Sequence, residues 1–398
     1  MNAKRNQGIP ILLLAIVMSV FVFTGAANSE ARVENRDGLK IVYLEGSPYD
    51  LGFQQGSMLK EDVNVVYTTY LNDLVYEDWV KKYAILKGMS LAYKNPRKGM
   101  AKFAQNVVPH VPEYYLEEMK GLAEGAGLDY REVVNMMVHV DYFAILLCST
   151  LVASGPATLD GNLIEARNLD WASGAAKELD PLSTMFVYKP DRGHAFMSIL
   201  YPGIVGALTA VNDAKLTVEL NFSMATENGT EGFPAMLIVR HIAQNAATLD
   251  EAEALLREMP RIAGYNVMVT DGKTNQARLI EINTNTVDTL GLDENGTLVT
   301  TNHFTTKALE GKNVNTNSFS ELPSPERYVR LHEMLAQKRG SIGPADAIEM
   351  IHDKQIKCSG TVQTVIFKPA EDKIWVWTRS RKPGDFLELD VAEMLSKN

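Results

Sequence analysis

Cys148 is one of two cysteines among 398 residues, and it heads the stretch CSTLVASGPATLDGNLIEARNLDW. Leu151 and Val152 form a short apolar run, Asp160-Gly161 is a pair that tolerates positive φ, and Leu163-Ile164 begins a return. Such a hairpin carries Arg167 and Asp170 back beside the strand that holds the thiol. A thiol near a guanidinium and a carboxylate has two chemical readings. One is a nucleophile, because a fixed cation favours the ionised sulfur. The other is half of a Cys148–Cys358 disulfide, beside a surface ion pair worth about 0–1 kcal/mol.

The rest of the chain narrows the chemistry. Its 7 histidines are scattered, with no HExxH and no close pair at metal-ligand spacing. His139-Val140-Asp141 reads as polar helix surface. No G-x-S-x-G elbow, phosphate-cradling loop or dinucleotide fingerprint occurs. This reading contains no metal and no cofactor, and it leaves Cys148 as the candidate nucleophile. A net charge of −10 without a basic run argues against nucleic acid or an anionic membrane face as a partner. Lys4 and Arg5, the apolar run from Ile11 to Phe23, and Thr24-Gly25-Ala26-Ala27 follow the order of a secretory signal. Residues 1–27 are therefore read as a signal peptide and the remainder as exported, whether secreted, periplasmic or lumenal; an uncleaved N-terminal anchor is the alternative.

The elements that must position these residues change in character at Cys148. Before it the pattern is helical. Ser47-Pro48-Tyr49-Asp50 supplies an N-cap, a first-turn proline and an acid three residues on, opening a helix from Leu51 to about Leu74. A second helix follows Pro112 and stops at Gly125 to Gly127. A third is capped by Asp129 and leads toward Phe143 and Leu147. After Cys148 the strands MFVYKP and AFMSILYP, ALTAV and LTVELNF, YNVMVTD and ARLIEI, then TLVTTNHF, and finally VQTVIFKP and KIWVWTR follow one another across turns. Helices over Phe233 to Ala246, after the capping box at Thr248, and from Ser324 to about Gln337 interrupt them. This succession makes an α+β protein with sheets at its centre.

Several of these segments, in order, resemble the N-terminal-nucleophile (Ntn) hydrolases of the penicillin acyltransferase type. That family is related to choloylglycine hydrolases and penicillin V acylases, and more distantly to acid ceramidase. EGSPYDLGFQQG is similar to the family's Gly-Ser-Pro-x-x-x-Gly-x-x-x-Gly opening, and EEMKGLAEGAGLDYREVV to its glycine-rich helix end. CSTLVASGPATLDGNLIEARNLDW resembles its nucleophile and hairpin, and TTNHF and SPERYVRL follow downstream. The resemblance implies a four-layer αββα sandwich with two central antiparallel sheets. It also implies a precursor that cleaves itself between Leu147 and Cys148. Residues 28–147 would then be a helical N-terminal part, and 148–398 the catalytic part of the same globular unit. The freed α-amine, with a pKa of ~7.7–8 against ~8.5 for a free thiol, would take the thiol proton without help from a histidine.

Carried onto this chain, the resemblance implies Cys148 as nucleophile, Arg167 as the cation beside the thiolate, and Asp170 as the partner of the amine. It implies Asn302 as an amide donor to the tetrahedral oxyanion and Asn212 as a second asparagine near that hole. Arg327 would buttress the site, with Arg330, one turn along, as its rival. Each has a plainer reading as an ion pair, a turn or a cap. Lys215 stands where relatives carry glycine, and Cys358 matches no catalytic position. Three N-x-S/T sequons fall at Asn221, Asn228 and Asn295. The expected activity is amidohydrolysis or acyl transfer from a small-molecule amide, an acylated amine, through an acyl-enzyme on Cys148. The alternatives are a phospholipase-B-like ester hydrolase on the same centre, and a non-catalytic exported binding protein with Cys148 tied to Cys358.

Overall fold

A computed structural model describes residues 31–84, 95–143, 146–171, 179–314 and 322–396; the signal reading of residues 1–27 lies outside them. The strands are β1 (Arg32–Arg36), β2 (Leu39–Gly46), β3 (Leu146–Ala153), β4 (Ile164–Trp171), β5 (Thr184–Pro190), β6 (Phe196–Leu200), β7 (Thr209–Asn212), β8 (Leu216–Phe222), β9 (Tyr265–Asp271), β10 (Gln276–Ile282), β11 (Val287–Gly291), β12 (Thr297–Thr300), β13 (Thr361–Lys368), β14 (Lys373–Thr378) and β15 (Leu387–Asp390). The helices are α1 (Pro48–Met58), α2 (Lys60–Val65), which continues as a π-helix over Val66–Ala84, α3 (Pro96–Val107), α4 (Glu113–Ala126), α5 (Tyr130–Phe143), α6 (Ala235–Asn245), α7 (Leu249–Glu258), α8 (Ser324–Lys338), α9 (Pro344–Ile351) and α10 (Val391–Ser396).

Among the described residues the strands form two sheets. One has 9 strands in the order β1-β2-β5-β6-β7-β8-β9-β10-β11; the other has 6, in the order β12-β3-β4-β13-β14-β15. Alternation along each strand assigns its residues to layers. Ile41 and Tyr43 join Met185, Val365, Phe367 and Val376 between the sheets. Their neighbours Val42 and Leu44 turn outward onto Leu51, Met119, Leu122 and Met236 of the helices. On the far side of the smaller sheet, Leu151, Ala166 and Ile366 meet Leu331 of α8 and Met350 of α9. Each buried aliphatic side chain contributes about 1.5–3 kcal/mol, so two apolar faces per sheet demand a cover on both sides. The result is helix, sheet, sheet, helix: the expected αββα sandwich.

Three local expectations change. The N-terminal part is not purely helical, because β1 and β2 precede α1 and join the larger sheet. There β2 runs parallel to β5, the exception in otherwise antiparallel pairing. The helix expected from Leu51 to Leu74 breaks at Leu59, which caps α1 with φ −114°. The third helix stops at Phe143, and β3 has already begun at Leu146, so the expected boundary at 147/148 falls inside a strand.

The glycines of the two N-terminal motifs have a plain physical use. A Cβ on Gly52 would lie 1.8 Å from the Glu118 carbonyl oxygen, and one on Gly121 would lie 2.1 Å from that of Tyr49. Helices α1 and α4 therefore cross backbone to backbone, which only glycine permits at these contacts. Among the described residues no helix is long and apolar enough to cross a membrane.

Candidate active site

The β3–β4 hairpin turns at Asp160-Gly161, where Gly161 takes φ +79°. Its register sets Cys148 opposite Leu169, Thr150 opposite Arg167, Leu147 opposite Asp170 and Leu146 opposite Trp171. Cys148, Thr150 and Arg167 share the face between the sheets. Ser149 and Asp170 belong to the face covered by α8 and α9.

Cys148 is fully buried. Its sulfur lies 3.3 Å from Nη2 of Arg167 and 3.8 Å from the Leu220 carbonyl oxygen. The Cys148 N–H donates to Oδ1 of Asn302 at 2.9 Å, and its carbonyl accepts from Nη1 of Arg327 at 2.6 Å. Arg327 also donates to Ser149 Oγ at 2.6 Å and to Asn302 Oδ1 at 2.9 Å. Burial pushes the thiol up to about 12, against the pull of the Arg167 guanidinium. This sulfur therefore keeps its proton at neutral pH.

Asn302 follows β12. Its backbone N–H donates to Ser324 Oγ at 2.7 Å, and its Nδ2 donates to the Phe222 carbonyl at 2.8 Å. Two donors thus face Oδ1 and an acceptor faces Nδ2, which fixes the amide's orientation. The side chain presents its oxygen to Cys148, not the N–H expected of an oxyanion donor. Asp170 accepts from Thr361 Oγ1 at 2.6 Å; burial raises its carboxyl above the ordinary range, and the Arg327 guanidinium opposes that rise. Of the two arginines, Arg327 is the one that meets Cys148, Ser149 and Asn302. It is 1% exposed on α8, whereas Arg330 pairs with Asp353 at 2.9 Å near the surface.

Arg167 crosses the space between the sheets. Nη1 donates to Thr209, Nη2 donates to the Leu220 carbonyl at 2.7 Å, and Nε lies 3.3 Å from Oε2 of Glu219. Glu219 and Asn221, both on β8, were not among the expected site residues. The signal for Glu219 was present: an acid in the inward run LTVELNF is costly unless a cation meets it. Asn221 donates to Thr150 Oγ1 at 3.2 Å, and its Oδ1 is buried without a hydrogen-bond partner. At 1% exposure within a strand, it is a poor glycan acceptor.

Asn212 stands apart from this cluster, at the other end of the β7–β8 hairpin. Its Nδ2 donates to the Ala243 and Ala246 carbonyls at 2.9 and 2.8 Å, and its Oδ1 accepts from Ala214 and Leu216 N–H at 3.1 and 3.0 Å. Those bonds occupy the whole side chain, so Asn212 ties a turn to the end of α6 and does not join the oxyanion site. Lys215 does take a positive φ of 60°, and its Nζ is held by Asp372 at 2.6 Å. His139 is not helix surface: it is fully buried, with Nε2 2.9 Å from Tyr70 OH, and burial lowers it to about 4. Cys148 and Cys358 are both free thiols, so the disulfide of the non-catalytic alternative is not formed. Among the described residues no three His, Cys, Asp or Glu side chains are grouped to hold a metal.

A family model described as acyl-coenzyme A:6-aminopenicillanic acid acyl-transferase matches residues 158–383, a span that takes in Arg167, Asp170, Asn302 and Arg327. The chain is 26% identical over 262 residues to protein dcd1A of Dictyostelium discoideum, covering 61% of this chain and 58% of that protein. It is 21% identical over 174 residues to acid ceramidase of Rattus norvegicus, covering 38% of this chain and 42% of that enzyme. The chain thus spans about half the length of the curated relatives it matches. Among solved structures it is similar to a Caenorhabditis elegans N-acylethanolamine-hydrolyzing acid amidase ortholog, with 16% identity, a TM-score of 0.44, and coverage of 56% of this chain and 93% of that one. Penicillin V acylase from Agrobacterium tumefaciens gives 15% identity, a TM-score of 0.42, and coverage of 63% and 88%. With more than half of its residues inside the family match, this chain belongs to the acyl-coenzyme A:6-aminopenicillanic acid acyl-transferase family.

Proposed function

We propose that this chain is an exported, self-processing cysteine amidohydrolase or acyltransferase that cleaves a linear amide C–N bond of a small acylated amine. The observation that carries the reading is the set of contacts on one residue: Arg167 on the Cys148 sulfur, Asn302 on its N–H and Arg327 on its carbonyl. In the first step the Cys148 thiol adds to the Leu147 carbonyl. The C–N bond breaks, the nitrogen takes up the thiol proton, and a thioester joins the two parts. Water then hydrolyses the thioester, leaving a carboxylate on Leu147 and an α-amine on Cys148. In turnover that amine is the base the buried thiol lacks. It takes the thiol proton, the thiolate attacks the substrate carbonyl, and the proton passes to the departing amine. Water, or a second amine, releases the acyl group.

Asn302 Oδ1 already accepts from the nitrogen that becomes the base, so its proposed role is to hold the amine rather than the oxyanion. Arg167 stabilises the thiolate. The test is a mass readout of the mature termini, followed by amide and ester substrates offered to wild type and Cys148→Ala. A chain beginning at Cys148, with amide turnover that the variant lacks, supports the reading. An uncut chain whose turnover survives the substitution overturns it, and a preference for esters replaces amide by ester on the same centre.

A further inference from the structure

We propose that Glu165 is a positioning residue for the nucleophile: its carboxyl shares one proton with Glu219, and the singly charged pair holds the Arg167 guanidinium on the Cys148 sulfur. The inference rests on the reading of Cys148 as nucleophile and adds to it a control built into the neighbouring strand.

Glu165 and Glu219 lie between the sheets, 0% and 1% exposed. Oε2 of Glu165 accepts from the hydroxyls of Thr217 and of Thr270, the latter at 2.9 Å. Its Oε1 and the Oε1 of Glu219 have no hydrogen-bond partner, and Oε2 of Glu219 faces Arg167 Nε at 3.3 Å. The two acids are neighbours: Glu165 meets Thr217, two residues from Glu219 on the same face of β8, and Glu219 meets Arg167, two residues from Glu165 on the same face of β4. Carboxylates are acceptors only, so such a pair bonds when one member carries a proton. The neighbours agree. Thr217 and Glu219 face Glu165 from β8, Thr270 from β9, and Arg167 from its own strand. Val152 and Phe367, opposite it on β3 and β13, carry no charge. One cation thus meets two acids, and one shared proton balances the group. Burial, and for Glu219 the adjacent acid as well, favour keeping that proton.

Loss of the proton would set a second negative charge behind Arg167 and oppose the thiolate, so activity should fall as the pair ionises on the alkaline side. Glu165→Gln mimics the singly charged pair permanently: its oxygen still accepts from both threonines, and its NH2 donates to Glu219. The test compares wild type, Glu165→Gln and Glu165→Ala in kcat and KM against pH. It adds the infrared difference spectrum between wild type and Glu165→Gln at neutral pH. Glu165→Gln should hold its plateau kcat within about threefold, keep KM, and lose the alkaline fall, whereas Glu165→Ala should lower kcat roughly 10–100-fold, as loss of an orienting partner typically does. The difference spectrum should contain the carbonyl stretch of a neutral carboxylic acid in wild type alone. Absence of that band, or superimposable pH profiles for wild type and Glu165→Gln, overturns the proposal. Wild-type protein without turnover overturns the Cys148 reading and the positioning role with it. Wild-type turnover with an unmoved Glu165→Gln profile overturns the positioning role alone.

Discussion

Arg240, between the helical layer and the larger sheet, gives Nη1 and Nη2 to Glu118 at 3.2 and 2.9 Å and Nε to Gln244 at 3.2 Å, with its guanidinium over the rings of Tyr188 and Phe196. Arg167, between the two sheets, meets Glu219 through Nε alone and gives its remaining donors to Thr209, the Leu220 carbonyl and the Cys148 sulfur. Both are buried, and removing the cation from either leaves a buried acid, at about 3–5 kcal/mol. Stability therefore does not separate them. What does is where the charge ends. Arg240 closes a fork on one carboxylate and fastens α4 to α6; Arg167 leaves one edge on a group that can itself become an anion.

The comparison breaks if the two arginines fail to divide their effects. Cys148→Ala should remove turnover and self-cleavage altogether, read as a single uncut mass and no product. Asn302→Ala leaves the Cys148 nitrogen unheld, so kcat should fall about 10²-fold, the scale of a misplaced reacting group, with Cys148 present and reduced by thiol titration. Arg167→Lys keeps the charge but not the fork, so kcat should fall about 10–100-fold while the unfolding midpoint moves little. Arg240→Met should lower stability by about 3–5 kcal/mol in urea unfolding, as loss of either cation should, yet leave kcat per folded molecule within about twofold. An inactive but folded Arg240→Met protein would erase the distinction.

The smallest effect sharpens the picture of the helical side. Asp141, near the end of α5, accepts from the Ala235 N–H at 3.1 and 3.2 Å and from Tyr265 OH, and burial raises its carboxyl from 3.8 to about 7. The folded chain then keeps a proton that the unfolded chain releases. Stability should fall as pH rises from the ordinary carboxylate range to about 7, by at most about 4 kcal/mol, and level off above. Asp141→Asn retains an acceptor for both donors and should flatten that slope in denaturant unfolding at several pH values. A slope that survives the substitution assigns it to another group.

The hairpin of β3 and β4 was readable because Asp160-Gly161 needs a left-handed backbone and the alternation on each side sets the register. That register alone brings Arg167 within one cross-strand pair of Cys148. Less was readable where burial removes alternation. IVYL in β2 is apolar throughout because both of its faces are covered, so no period of two marks it as a strand. Asn212 and Asn221 sit at opposite ends of one hairpin, each beside apolar residues. Which end meets β3 is decided by sheet-on-sheet packing, a contact that no local pattern encodes. The direction of the Asn302 amide is likewise set from outside its own segment, by Cys148, Phe222 and Arg327.

One feature of β3 bears on how a substrate would reach so deeply covered a sulfur. The strand begins two residues ahead of Cys148, and Leu146 and Leu147 shield the edge of β4 at Trp171 and Asp170. The proposed scission at 147/148 would free those two leucines to swing away, opening a slot in the sheet directly alongside the thiol. The bond whose breaking would furnish a proton acceptor would then furnish a doorway as well. Faster deuterium uptake at the Asp170 amide after cleavage would report its opening, and unchanged uptake there would show the door still shut, with the Trp171 N–H, held by the Gly360 carbonyl at 2.9 Å, as the internal control.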